Sequence, residues 1–123
     1  YPLVKEKRLA QFRAHYKANK ELYFAKNEKR RASKIQAALP TTDYALIKNL
    51  YKQSIAMTKE HGEQYHVDHI IPLSIGGAHH QDNMRVITAK ENLGKKDKYI
   101  PELGGVWADN DLAREYKKKH NIE

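Results

Sequence analysis

The chain has 123 residues, no cysteine and a formal net charge of +8 at pH 7. This length suits one small domain, and the lack of cysteine excludes disulfides and cysteine-bound zinc. No apolar run is long enough to span a bilayer, so we expect no membrane partner.

Positive charge is concentrated at the start of the chain. Residues 1–38 contain eleven Lys or Arg and three Glu, whereas the remainder has twelve basic and twelve acidic residues. Clustered positive charge favours a polyanionic partner, because binding to phosphates releases counterions. The alternative is a solvated helix with no partner. We expect residues 1–39 to form a basic arm that binds nucleic acid.

Two helices are predicted in the first half of the chain. Between Pro2 and Pro40 there is no other proline and no glycine, and apolar and aromatic residues recur at helical spacing, which predicts one long helix. The Thr-Thr-Asp at 41–43 offers N-caps for a second helix, predicted over residues 42–61. Gly62 suits the left-handed cap that ends it.

A strand, a loop, a second strand and a helix are predicted next. Residues 65–71 alternate like a strand, and Gly76-Gly77 marks a loop. Met84 to Ile87 forms the second strand, and Thr88 with Glu91 makes a capping box that begins a helix.

These elements form a finger at about residues 65–98. A loop and a short helix, capped by Asp109, are predicted within 99–123. We therefore expect an α+β fold in which residues 40–123 form the main domain.

The finger contains the side chains needed to hydrolyse a phosphodiester. Asp68 and Asn92 offer the oxygen ligands that a hard divalent cation prefers. His69 can be neutral near pH 7 and can therefore accept a proton from water. Asn83 lies between these segments, nine residues before Asn92.

With the Gly-Gly turn, Lys95 and Lys96, this pattern resembles the HNH endonucleases, the ββα-metal or His-Me finger family, and especially its small phage-type members. The resemblance implies a mainly helical domain around a ββα-metal finger. It also implies a metal-dependent endodeoxyribonuclease that nicks or cuts duplex DNA, leaving 5′-phosphate and 3′-hydroxyl ends. We expect it in the cytoplasm of a bacterial or phage-infected cell. One site cuts one strand, so a double-strand break would need a dimer or two visits.

The same resemblance implies a role for each residue. His69 is the general base, Asn83 ties the loop to the finger and keeps the base in place, and Asp68 and Asn92 bind one divalent cation. An all-oxygen shell favours Mg²⁺ or Mn²⁺ over Zn²⁺, and no small-molecule cofactor is expected. His66 is either a second group around the metal or simply an exposed histidine. The predicted DNA contacts are Arg85, Lys95, Lys96 and His79 in the finger and Arg30, Arg31 and Lys34 in the arm.

Two other functions are compatible with the sequence. The finger could be a scaffold in a DNA-binding or phage packaging accessory, with the basic arm supplying the function. The chain could also be the nuclease payload of a toxin.

Overall fold

The structure is a computed structural model that describes residues 2–123. Tyr1, at the start of the predicted arm, lies outside the described residues. The described part is mainly helical, with one two-stranded antiparallel sheet, and the predicted α+β fold around a ββα finger is confirmed. Its elements are α1 (Pro2–Ala18), α2 (Lys20–Lys34), α3 (Tyr44–His61), β1 (Tyr65–His69), β2 (Met84–Thr88), α4 (Ala89–Lys95) and α5 (Asp111–Lys119).

The basic segment forms two helices instead of the single predicted one. They meet at Asn19, whose backbone leaves the helical region with φ −125° and ψ 26°. The Asn19 side chain donates a hydrogen bond to the backbone carbonyl of His15 at 2.9 Å. Asparagine side chains often compete with the helical backbone in this way, so the break has a local cause.

The two basic helices differ in burial. In α1 the described side chains are largely exposed, including Val4 and Phe12. In α2, by contrast, Ala32 is fully buried in a cluster with Ala37, Leu73, Ala78 and Ala108. Phe24 and Ala25 pack against a second cluster, made of Ile47, Tyr51 and Met84. Within the predicted arm, α2 is thus part of the folded body and α1 projects from it.

Helix α3 begins and ends at the predicted caps. The Asp43 side chain accepts hydrogen bonds from the amides of Ala45 and Leu46. Gly62 ends the helix in the left-handed region, at φ 70°. The last helix differs slightly, because Asn110 caps α5 instead of the predicted Asp109. Among residues 2–123, no helix combines the length and apolarity needed to cross a bilayer.

The finger consists of β1, β2 and α4. The strands pair so that Asp68 lies opposite Arg85 and His69 opposite Met84. Consecutive strand residues point to opposite faces, so the carboxylate and the imidazole leave the ribbon on different sides. The Thr88 side chain accepts a hydrogen bond from the Glu91 amide at 3.1 Å and donates one to the Glu91 carboxylate, so Thr88 is the predicted N-cap of α4.

The loop between the strands depends on the two adjacent glycines. A Cβ atom at Gly77 would overlap the carbonyl of Ile71, and one at Gly76, where φ is 109°, would overlap the backbone of Ala113. The loop therefore packs closely against both the end of the first strand and α5, which positions His79 and Asn83.

Candidate active site

His69 ends β1 and is covered by α2. Its side chain is 11% exposed, and its Nδ1 lies 3.9 Å from a carboxylate oxygen of Glu28. The other ring nitrogen, Nε2, is 3.1 Å from Nδ1 of His79. Both nitrogens of the predicted base therefore face titratable side chains, one from a helix and one from the loop.

Both histidines of this pair are held in the neutral form. Burial is the largest cause that lowers the pKa of His69 to about 3, and electrostatic interactions with His79, Arg31 and Lys95 lower it further. Burial and the charge of Lys29 lower the pKa of His79 to about 4. At pH 7 each ring carries one proton, so one lone pair of His69 is available to accept another.

Asp68 lies on the opposite face of β1 and is already surrounded by cations. The residue is 8% exposed, and Nζ of Lys95 and Nε of Arg85 lie 3.4 and 3.3 Å from its carboxylate oxygen Oδ2. Lys95 also donates a hydrogen bond to the backbone carbonyl of His69 at 3.1 Å. Two predicted DNA contacts, Lys95 and Arg85, are thus ion-pair partners of the predicted metal ligand.

Asn92, the second predicted metal ligand, lies on α4 one turn before Lys95 and is half-buried. Residues three apart on a helix share a face, so Asn92 lies on the side of α4 that carries Lys95 toward Asp68. Lys96, which follows, is exposed. No group of three or more His, Cys, Asp or Glu residues within residues 2–123 could hold a metal.

The donor set nevertheless fits one hard cation. Asp68 supplies an anionic oxygen in a position that attracts cations, and Asn92 supplies a neutral oxygen on the adjoining helix. Mg²⁺ usually binds one or two such protein oxygens and retains several waters, so a larger protein cage is not needed. Such an ion would take the place of the Lys95 ammonium beside the carboxylate.

Asn83 is fully buried and connects three segments of backbone. Its Oδ1 accepts hydrogen bonds from the amides of Ile71 and Val106, at 3.0 and 3.1 Å. Its Nδ2 donates to the carbonyls of Ile71 and Ala78, at 3.1 and 2.7 Å. All four hydrogen bonds that a carboxamide can make are formed, and they hold the loop against the end of β1 next to His69.

The remaining predicted site residues belong to α2 and β1. Arg30, Arg31 and Lys34 are exposed on α2, and Arg31 pairs with Glu28 at 3.5 Å. His66 is half-buried on β1. Burial raises the pKa of Glu21 on α2, and the nearby charge of His66 opposes this effect.

Glu28 is the residue near the site that the sequence did not indicate. It belongs to the basic segment, and the packing of α2 against the folded body brings it to His69. The contact between His79 and His69 also went unpredicted, and His79 is fully buried. The adjacent histidines at 79 and 80 were the one available signal, since histidine titrates near neutral pH and often serves in proton transfer.

Comparison with known proteins identifies the finger. Residues 57–98 match the family of HNH endonucleases. Neither the curated proteins nor the solved structures compared with the chain gave a match. HNH proteins are nucleases that act on DNA and typically use a divalent metal. Residues 57–98, about a third of the chain, therefore match an HNH endonuclease domain, and this match supports the predicted resemblance to the HNH family.

Proposed function

We propose that the chain is a metal-dependent endonuclease that hydrolyses phosphodiester bonds of duplex DNA to 5′-phosphate and 3′-hydroxyl ends. One active site cleaves one strand, so a single molecule nicks DNA and a double-strand break requires two molecules or two visits. The observation that carries the proposal is the neutral, buried imidazole of His69, which directly follows Asp68 on β1 in the segment that matches the HNH family.

His69 is proposed to take the proton from the attacking water. A general base must be unprotonated before the reaction, and the low pKa of His69 meets this condition throughout the neutral range. A base with so low a pKa is weak in the free protein. A phosphate next to the ring adds negative charge and raises that pKa toward the working pH, so the base becomes stronger once the substrate is bound.

The tautomers of the two histidines are linked. Only one proton lies in the hydrogen bond between Nε2 of His69 and Nδ1 of His79. If His69 donates this proton, its Nδ1 keeps the free lone pair, and the proton of His79 then lies on Nε2. In this arrangement His79 positions the base, as a carboxylate or backbone carbonyl does for other histidines.

Asp68 and Asn92 are proposed to hold one divalent cation, Mg²⁺ or Mn²⁺. When bound, this cation would stabilise negative charge on the departing 3′ oxygen. Asp68 is the anchor because it is the anionic member of this pair, and Lys95 and Arg85 compensate its charge in the metal-free protein. The exposed basic residues Arg30, Arg31, Lys34 and Lys96 are proposed to contact phosphates.

A plasmid relaxation assay tests this function. Wild-type protein should nick supercoiled DNA with Mg²⁺ or Mn²⁺ and be inactive in EDTA. The His69→Ala variant should lose at least about a hundredfold in rate while keeping its DNA affinity in fluorescence anisotropy. His120→Ala, which removes an exposed histidine of the last turn, is the matched control and should remain active.

The same assay distinguishes the proposed nuclease from the competing function. DNA binding without metal-dependent cutting would favour a DNA-binding accessory that uses the finger as a scaffold. Full activity of His69→Ala would remove this residue as the base.

A further inference from the structure

A cavity of about 500 Å³ lies between α2 and α3. Only one of the residues that line it, His79, falls within the segment that matches the HNH family. This volume lies within the range of small-ligand sites, roughly 300–1,000 Å³. The cavity is therefore a feature of this chain that the HNH domain alone does not supply.

The lining of the cavity is cationic and aromatic. None of the described residues that line it is acidic. Lysine side chains bind phosphate oxygens, and aromatic rings stack on nucleobases of any sequence. The residues of these two kinds in the lining are Lys26, Lys29, Lys48, Tyr23 and Tyr44.

These groups are close enough for one ligand to contact several of them. The Nζ atom of Lys29 lies 4.3 Å from the centre of the Tyr44 ring. The centre of that ring is 6.1 Å from the centre of the His79 imidazole. A cation, an aromatic face and a hydrogen-bonding ring thus meet at one wall of the cavity.

His79 provides an independent indication of a ligand. Its Nε2 atom is buried and has no hydrogen-bond partner among residues 2–123. The other nitrogen of the ring is already engaged by His69. Buried polar atoms are almost always paired in folded proteins, so an unpaired nitrogen in the wall of a cationic cavity indicates a missing partner such as a phosphate oxygen.

We propose that this cavity binds one nucleotide of the DNA strand being cut, with its phosphate at the lysines and His79 and its base against Tyr44. This inference rests on the proposed nuclease function, because His79 touches the proposed base and a nucleotide here would adjoin the bond that is cut. A base stacked inside a duplex cannot enter the cavity. The subsite therefore favours DNA with an unpaired nucleotide next to the cleavage site, since the cost of unstacking is then small.

The first test measures binding to the full chain in EDTA, so that no DNA is cut. Nuclear magnetic resonance spectra are recorded with deoxyadenosine 5′-monophosphate and with inorganic phosphate. The nucleotide should shift the amide signals of Lys29, Tyr44 and Lys48 and bind roughly tenfold more tightly than phosphate, owing to base stacking. Equal affinity for the two, or shifts outside the cavity, would overturn the proposal.

Variants at exposed cavity residues make the test specific. Lys29→Met and Tyr44→Leu should each weaken nucleotide binding by roughly tenfold. Lys59→Met removes an exposed lysine farther along α3 and should leave binding unchanged. A short single-stranded oligonucleotide should displace the nucleotide. If the oligonucleotide does not displace the nucleotide, the cavity binds a free nucleotide and does not hold the DNA strand, which would overturn the proposal.

The second test measures cleavage of two labelled duplexes, one fully paired and one with a single unpaired nucleotide. Wild-type protein should have the lower KM for the second duplex, and Lys29→Met and Tyr44→Leu should remove this preference. If Lys29→Met and Tyr44→Leu still cut both duplexes with the wild-type KM values, the nucleotide subsite is refuted but the nuclease function is not. A wild-type protein that binds the nucleotide but cuts neither duplex would instead refute the nuclease function, and with it the role in holding the cut strand.

Discussion

The buried Lys95 of α4 places its Nζ 3.4 Å from Oδ2 of Asp68 on β1. The same ammonium donates a hydrogen bond to the backbone carbonyl of His69. One lysine therefore compensates the carboxylate that we propose as the metal ligand and also fixes the strand end that carries the proposed base. A divalent cation bound at Asp68 would compete with this ammonium for the same carboxylate.

Replacing Lys95 with methionine should have two opposite effects. The metal-free protein should lose about 3 kcal/mol of stability, because the buried carboxylate of Asp68 would lose Lys95 and keep only Arg85 as an ion-pair partner. The affinity for Mg²⁺ should rise at least tenfold, since a unit charge about 4 Å from a divalent ion repels it by about 2 kcal/mol even at the dielectric constant of water.

Calorimetric Mg²⁺ titration and thermal unfolding with and without Mg²⁺ measure these effects. Lys90→Met, which removes an exposed lysine from the same helix, should change neither value. An unaltered Mg²⁺ affinity in Lys95→Met would show that the ion does not bind at Asp68.

Acid should destabilise the protein through His69 and His79. Burial is the main cause that lowers their pKa values to about 3 and 4, whereas an unfolded histidine titrates near about 6.5. Above pH 6.5 both rings are neutral in the folded and the unfolded chain, and the full stability is present. As the pH falls below 6.5, the unfolded chain binds protons that the folded chain excludes. Stability should then decrease by up to about 1.4 kcal/mol per pH unit for each histidine, until the folded pKa is reached.

Urea unfolding at pH 7, 6 and 5 measures this loss. His69→Gln should show about half the wild-type dependence on pH in this window, because one of the two histidines has been removed. His120→Gln, at an exposed position, should keep the wild-type dependence. If His69→Gln also keeps it, burial of the neutral imidazole is not the source of acid sensitivity.

Asn83→Ala should destabilise the finger by about 3–5 kcal/mol, because several buried backbone groups lose their hydrogen bond to this side chain. This is a large fraction of the stability of a small domain. Urea unfolding monitored by circular dichroism measures the change. Asn49→Ala, on the exposed side of α3, should change stability by less than about 0.5 kcal/mol, and a similarly small effect at Asn83 would contradict its role as a structural connection.

Deleting residues 1–18 should preserve the fold, whereas deleting residues 1–34 should not. The first deletion removes α1, whose described side chains are largely exposed, but the second removes Ala32 and Phe24 from the two cores. Circular dichroism and thermal unfolding distinguish the two outcomes. Cooperative unfolding of the shorter protein at the wild-type temperature would show that α2 is not part of the body.

The deletion of residues 1–18 should also weaken the salt dependence of DNA binding. The range contains five Lys or Arg, and the slope of log K against log salt becomes shallower by about 0.9 for each phosphate that the protein no longer neutralises. Replacing Lys118 and Lys119 of α5 with glutamine is the control for a general decrease in charge. If the deletion leaves the slope unchanged, α1 does not bind DNA.

Features that depend on neighbouring residues could be predicted from the sequence. The caps at Asp43, Gly62 and Thr88 are formed by hydrogen bonds within four residues, so a short stretch of sequence contains both partners. The order of strand, loop, strand and helix follows from the same local signals. The joint pattern of Asp68-His69, the Gly-Gly turn, Asn83 and Asn92 also indicated the family that residues 57–98 match, because residue types and their spacing can be read without a fold.

The tertiary structure alone decided how these residues are surrounded. Packing of α2 against α3 places Glu28 beside His69 and creates the cavity lined by Lys29 and Tyr44. The hydrogen bond between His69 and His79 and the ion pair of Lys95 with Asp68 likewise join separate elements. Such contacts arise from the burial of apolar faces far apart in the sequence, which is non-directional and leaves no local pattern. The sequence therefore determined which chemical groups are present, and packing determined their protonation, their counter-charges and the space beside them.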